Sequence, residues 1–281
     1  MFAKSLALRK LALSLTIVLC LAIGAIVPVR MSMAASPGAA HATKPKPTIV
    51  LVHGAWADSS SWDGVTAILQ KKGYRVYSAA NPLLGLTYDA QTIADFLKGI
   101  PGPIVLVGHS YGGMVVTNAA LGNSHVKALV YVDAFVPEKG QTVGGLLSSM
   151  PGSQLNPKTS FNIVRYPGAP QDDGEAYVKQ AVFVKIFAND LPKAQAQVAA
   201  AAQRPLVLSA ETAPSGTPAW KSIPSWAVVG TVDKVIPPAL LTSMDRHAGA
   251  HITDVRGGHI LMVSHPAAVA KVIEAAATAV Q

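Results

Sequence analysis

The stretch Gly108-His109-Ser110-Tyr111-Gly112-Gly113 puts a serine between glycines, directly after the apolar run at 104–107 and before a helical stretch. A serine on so tight a strand-to-helix turn sits in strained backbone, and bulky side chains two residues to either side would collide. Gly108 and Gly112 remove that crowding. The turn also aims the helix N-terminus and the Tyr111 N–H at any carbonyl the hydroxyl attacks. The chemistry such a serine performs is nucleophilic acyl transfer. A G-x-S-x-G match alone is weak, and the strand before it and helix after it supply its weight.

A serine nucleophile needs a base, and a neutral imidazole needs a carboxylate to orient it. Of the eight histidines, His41 lies in the N-terminal tail, His125 and His247 sit near surface turns, and His251 begins a strand. His53 and His109 stand beside glycine turns and read as structural. His259 follows Arg256-Gly257-Gly258, just past the last strand, where a loop can swing its side chain over the sheet. His265, before Pro266, is the other candidate. Two carboxylates follow strands: Asp233, within Gly230-Thr231-Val232-Asp233, and Asp133, after the run ending at Val132. Asp233 gives the chain order Ser, Asp, His that goes with this kind of turn, whereas Asp133 also reads as a capping or cap-contacting acid. Asp58 and Asp63 read as ordinary loop and helix-start acids. An oxyanion needs a second N–H from another loop, and the His53-Gly54-Ala55-Trp56 turn after the first strand can aim that of Ala55.

The elements that must position these residues are visible in the pattern. Residues 48–52 (TIVLV), 104–107 (IVLV) and 126–132 (VKALVYV) are short apolar runs of the kind that form parallel strands buried on both faces. Residues 75–79 add another strand. Helices are expected over 62–72, 90–98 and 111–120. This alternation implies βαβ crossovers and an α/β domain over 48–281, with a mostly parallel central sheet flanked by helices. From about 137 to 218 the rhythm breaks, over a length too great for a structureless loop in a compact domain. Stretches 175–187 and 193–203 read as helices, so a helical cap insertion over one end of the sheet is expected. Strands at 225–229 and 251–255 and helices at 238–247 and 266–280 complete the pattern.

Half of the 281 residues are hydrophobic, which excludes a disordered chain, and 23 Lys and Arg face 15 Asp and Glu. Part of that excess is local. Lys4, Arg9 and Lys10 precede an uncharged apolar run at 11–27 and a small-residue cluster at Ser32-Met33-Ala34, the layout of an export signal over 1–34. At 17 residues the run is at the short limit for spanning a bilayer, so a retained anchor is the alternative, and membrane association is expected only in that case. Residues 35–47, rich in Ala, Pro and Lys, read as a flexible lead-in. Removing 1–34 takes four of the 23 basic residues and no acid, leaving 19 against 15, or about +4. No basic block remains, so no nucleic-acid partner is expected. Cys20, the single cysteine, leaves too, which excludes a disulfide or thiol nucleophile from the exported chain. No ligand cluster calls for a metal, and no cofactor is expected.

Taken together, the VLVHGAW opening, the GHSYGG turn and the late GGHILMVSHP loop resemble the α/β-hydrolase fold superfamily over residues 48–281, and within it the methylesterase/hydroxynitrile-lyase-like branch. The resemblance implies Ser110 as nucleophile, Asp233 and His259 as its partners, and the Ala55 and Tyr111 N–H groups as oxyanion hole. It further implies an apolar pocket under the cap, lined by Trp56, Phe183 and Phe187, that admits a small or medium carboxylic ester. Lyase members carry threonine at the position of Gly54 and lysine straight after the histidine, where this chain has Ile260, so ester hydrolysis is the expected activity. The same triad acting on a C–C, amide or lactone bond, or a non-catalytic ligand-binding relative, are the alternatives.

Overall fold

An unbroken apolar β-branched run is stable only where both of its faces are covered, and Thr48–Val52 is buried at every position. The structure, a computed structural model, describes residues 45–281. The proposed export signal at 1–34, Cys20 and most of the lead-in lie outside the described residues. In chain order the body begins β1 (Thr48–Val52), α1 (Asp63–Lys71), β2 (Val76–Ala79), α2 (Leu86–Lys98), β3 (Ile104–His109), α3 (Tyr111–Ala119) and β4 (Val126–Val132). The insertion contributes α4 (Val143–Ser149), β5 (Phe161–Val164), β6 (Glu175–Val178), α5 (Gln180–Val182), α6 (Lys193–Ala202), β7 (Leu206–Val207) and α7 (Ser209–Thr212). The body then resumes with β8 (Ser225–Gly230), α8 (Pro238–His247), β9 (His251–Val255), α9 (Leu261–Ser264) and α10 (Pro266–Ala279).

Six strands form one parallel sheet in the order β2-β1-β3-β4-β8-β9. Helices α1 and α10 pack together, α10 lying along β3, β4 and β8, while α2 and α3 form a second pair. The apolar run read as ending at 107 continues through Gly108 and His109, so β3 delivers the chain directly to Ser110. Helix α2 starts at Leu86 rather than 90, because Gly85 at φ +112° breaks the chain just before it.

The insertion differs from expectation. It is not purely helical: β5, β6 and β7 form a small antiparallel sheet. Residues 175–178, read as helix, form β6, because Ala176 and Val178 are buried while Glu175 and Tyr177 are not, the two-residue period of a half-buried strand. Helix begins only at Gln180 and widens into a π-type turn over Phe183–Phe187.

Candidate active site

Close backbone approach shapes the turn around Ser110. A Cβ at Gly108 would lie 2.6 Å from Gly112 O, and one at Gly112 would lie 2.6 Å from Val52 O. Only glycine lets the helix start pass so near the strand ends. Ser110 itself takes φ 52°, ψ −124°, a costly region for a residue with a side chain, held by hydrogen bonds from Phe135 N and Gly113 N to its carbonyl. The strain lifts its hydroxyl above the sheet.

His259 meets it there. Its Nε2 lies 3.0 Å from Ser110 Oγ, and its Nδ1 lies 2.8 Å from Asp233 Oδ2. Beside the carboxylate the ring proton belongs on Nδ1, which leaves Nε2 to accept from the serine hydroxyl. The other oxygen of Asp233 accepts from Val235 N at 2.7 Å and Ile236 N at 3.1 Å. An aspartate that binds backbone two and three residues onward closes its own turn, so the loop after β8 presents the carboxylate ready aimed. The Ser110, His259 and Asp233 side chains are all buried, in line with a relay shielded from water.

The remaining candidates fall elsewhere. His265 bonds Ser264 Oγ at 2.9 Å and stands 3.6 Å from Asp190. His53 accepts from Asn81 N at 3.1 Å, and burial lowers its pKa to about 4, so it is a neutral structural ring. His109 is buried and held well below the usual histidine range by desolvation, and its Nε2–H donates to the His259 carbonyl at 2.9 Å. This neutral ring thus anchors the backbone of the histidine opposite the serine. Asp133 accepts from Gly230 N at 2.5 Å through one oxygen, while its second oxygen has no partner among the described residues. Burial first, and the negative charge of Asp233 second, push its carboxyl well above the usual carboxylate range.

Two residues that the chain pattern did not single out tie the insertion to this relay. Asn189 donates to Val232 O at 3.1 Å, one residue before Asp233, and Asp190 accepts from Gly258 N at 2.8 Å, one residue before His259. No periodicity marks them, because their role lies in bridging loops that only folding brings together. Tyr111 is anchored likewise: its hydroxyl donates to the buried Asp89 at 2.8 Å, which fixes the start of α3 against α2.

A cavity of about 230 Å³ opens onto Ser110, walled by Ala55, Trp56, Tyr111, Phe135, Phe161 and further apolar residues. Neither the Ala55 nor the Tyr111 N–H finds an acceptor among the described residues, so both donors remain open beside the serine. Trp56, at φ 56°, donates its indole N–H to Ala176 O of β6 at 2.7 Å and so joins the floor to the insertion. Of the three aromatic residues expected to line this pocket, only Trp56 does so. Phe183 walls a separate cavity of about 250 Å³ that shares Trp56 as a partition. Phe187 lies edge-on to the His259 ring, 5.1 Å between centroids, and 5.3 Å from Trp56, where it shields the imidazole. The π-type turn carries both phenylalanines behind the indole rather than in front of it. At Gly54 a Cβ would come within 2.7 Å of Ser110 Cβ and 2.8 Å of His109 O, so this floor excludes a side chain there. Among the described residues no group of three His, Cys, Asp or Glu side chains is arranged to hold a metal ion.

Residues 49–272 match the family model described as the alpha/beta hydrolase family. A carbendazim hydrolyzing esterase from a Nocardioides strain is 37% identical over 111 residues, which are 35% of this chain and 46% of that protein. The match therefore spans less than half the length of that relative. Among solved structures, a pyrethroid hydrolase from Sphingobium faniae superposes with a TM-score of 0.66 at 20% identity, over 83% of this chain and 98% of the other. Polyneuridine aldehyde esterase superposes with a TM-score of 0.72 at 18% identity, over 82% and 99% respectively. At such identities the likeness speaks for the fold alone.

Proposed function

The chain belongs to the alpha/beta hydrolase family, and on that premise we propose that it is an exported serine carboxylesterase of the methylesterase-like branch, cleaving small to medium carboxylic esters. The observation that carries this reading is the unbroken relay from Ser110 through His259 to Asp233, at 3.0 and 2.8 Å, opening onto a largely apolar cavity. His259 Nε2 takes the Ser110 proton as Oγ attacks the ester carbonyl, and Asp233 steadies the imidazolium. The N–H groups of Ala55 and Tyr111 hold the developing oxyanion. The imidazolium returns its proton to the departing alcohol, and water, activated by the same ring, then hydrolyses the acyl-enzyme. The relative named as a carbendazim hydrolyzing esterase supports the ester bond as the target. The closed floor at Gly54 and the buried Ile260 stand where lyase members of the branch use threonine and lysine, which favours hydrolysis over carbon–carbon cleavage. The leader at 1–34 supports export to the periplasm or the medium.

Turnover of short p-nitrophenyl esters by wild type and Ser110→Ala tests the reading. The alanine variant should lose on the order of 10^5-fold in kcat, as removal of a nucleophile does. Undiminished turnover would remove Ser110 from the nucleophile's role, and absence of fluorophosphonate labelling of wild type would point to a binding protein. N-terminal sequencing of the exported form checks the leader; a start at Met1 would mean it is retained.

A further inference from the structure

Among the described residues that line the cavity over Ser110, Glu211 is the one acidic or basic side chain. It sits on the short α7, which packs against α4 and β7, and neither of those elements carries a charged side chain. Among the described residues no hydrogen bond or ion pair reaches its carboxylate, which is half-buried in the cavity wall. Desolvation alone raises its pKa above the ordinary glutamate value, with no neighbouring charge in play. A carboxylate in a mostly apolar wall costs free energy unless something pairs with it. Trp56, Phe135 and Phe161 line the same space, and aromatic rings attract cations at their faces. The walls thus combine an unpartnered negative group with aromatic surface, which together suit a positive charge of low hydration.

We propose that Glu211 forms a cation subsite of the active-site cavity and that the preferred substrates are esters bearing an ammonium group beyond the scissile bond. This rests on the reading of Ser110 as an ester-cleaving nucleophile and adds the substrate's charge to it. The hydroxyl of Ser110 reacts at one end of the cavity, while the carboxylate orients the charged end of the ester and discriminates against neutral esters of equal shape.

The test compares two esters of one shape, the choline ester of butyric acid and the dimethylbutyl ester in which carbon replaces the quaternary nitrogen. The choline charge does not titrate. Wild type should favour the cationic ester by about tenfold or more in kcat/KM, and Glu211→Gln should reduce that ratio about tenfold. In wild type the ratio should also collapse as the pH falls and Glu211 takes up its proton, since losses in steps that both esters share cancel in the ratio. That pH series needs no variant and stands if the glutamine protein does not fold. A wild-type ratio at or below one, or a ratio unmoved in Glu211→Gln or by acid, overturns the subsite while leaving ester hydrolysis in place. Wild type that turns over neither these esters nor p-nitrophenyl acetate overturns the esterase reading itself.

Discussion

Asp133 follows β4 and Asp233 follows β8, the neighbouring strand, and they are exposed by only 1% and 5%. Both stand where a carboxylate can serve a histidine that swings over the sheet, yet their surroundings differ. Asp233 has both oxygens engaged, one by the N–H groups of Val235 and Ile236 and the other by His259. Asp133, at φ 42°, takes the Gly230 N–H, and its second oxygen has no partner among the described residues. Position at a strand end is therefore not enough. A carboxylate buried without enough N–H donors is pushed toward the neutral acid, as Asp133 is.

Three substitutions test that contrast. Asp233→Asn, which keeps the shape but removes the charge that sets the His259 tautomer, should lower kcat by about 10^4-fold in ester turnover. A loss no larger than that of Asp133→Asn would mean that the two acids share the role. Gly230→Ala acts on the boundary between them: its Cβ would sit 2.8 Å from both Asp133 Oδ2 and Gly257 O, crowding the acid and the histidine loop together. A stability loss of about 1–3 kcal/mol is expected in chemical denaturation, accompanied by reduced activity. An alanine protein as stable as wild type would show that the loop after β9 yields freely.

Asp133→Asn should have the smallest effect on catalysis, less than about tenfold in kcat/KM. Its signature lies in stability against pH. The folded-state pKa of Asp133 is raised, so the folded state binds a proton that the unfolded chain has already released. Wild-type stability therefore declines as pH rises from the ordinary carboxylate value through the raised one. Asparagine has no such proton to lose. The Tm difference should shift in favour of the variant between acid and neutral pH, and parallel Tm curves would show that the burial of Asp133 carries no titration cost.

The sheet and the relay were legible because each rests on local signals. Apolar β-branched runs declare strands buried on both faces, Gly108 and Gly112 declare a close turn, and Arg256-Gly257-Gly258 declares a loop that brings His259 back over the sheet. The insertion was less legible. Glu175-Ala176-Tyr177-Val178 is too short for its two-residue alternation to outweigh the helical stretch that follows, and its partners β5 and β7 lie outside that stretch. Phe183 and Phe187 are apolar whichever side of Trp56 they face, so their type alone could not assign them to one cavity or another.

From the residues alone came the α/β alternation, the family resemblance, the serine on its strained turn, and the order Ser110, Asp233, His259, all consequences of neighbours within a few positions or of chain order. Tertiary structure decided which of two buried aspartates reaches the imidazole, how Asn189 and Asp190 bridge the loops of Asp233 and His259, and which side chains wall the cavity. Those outcomes depend on packing between segments far apart in sequence. There, hydrogen-bond donors and excluded volume, rather than residue type, assign each buried group its role.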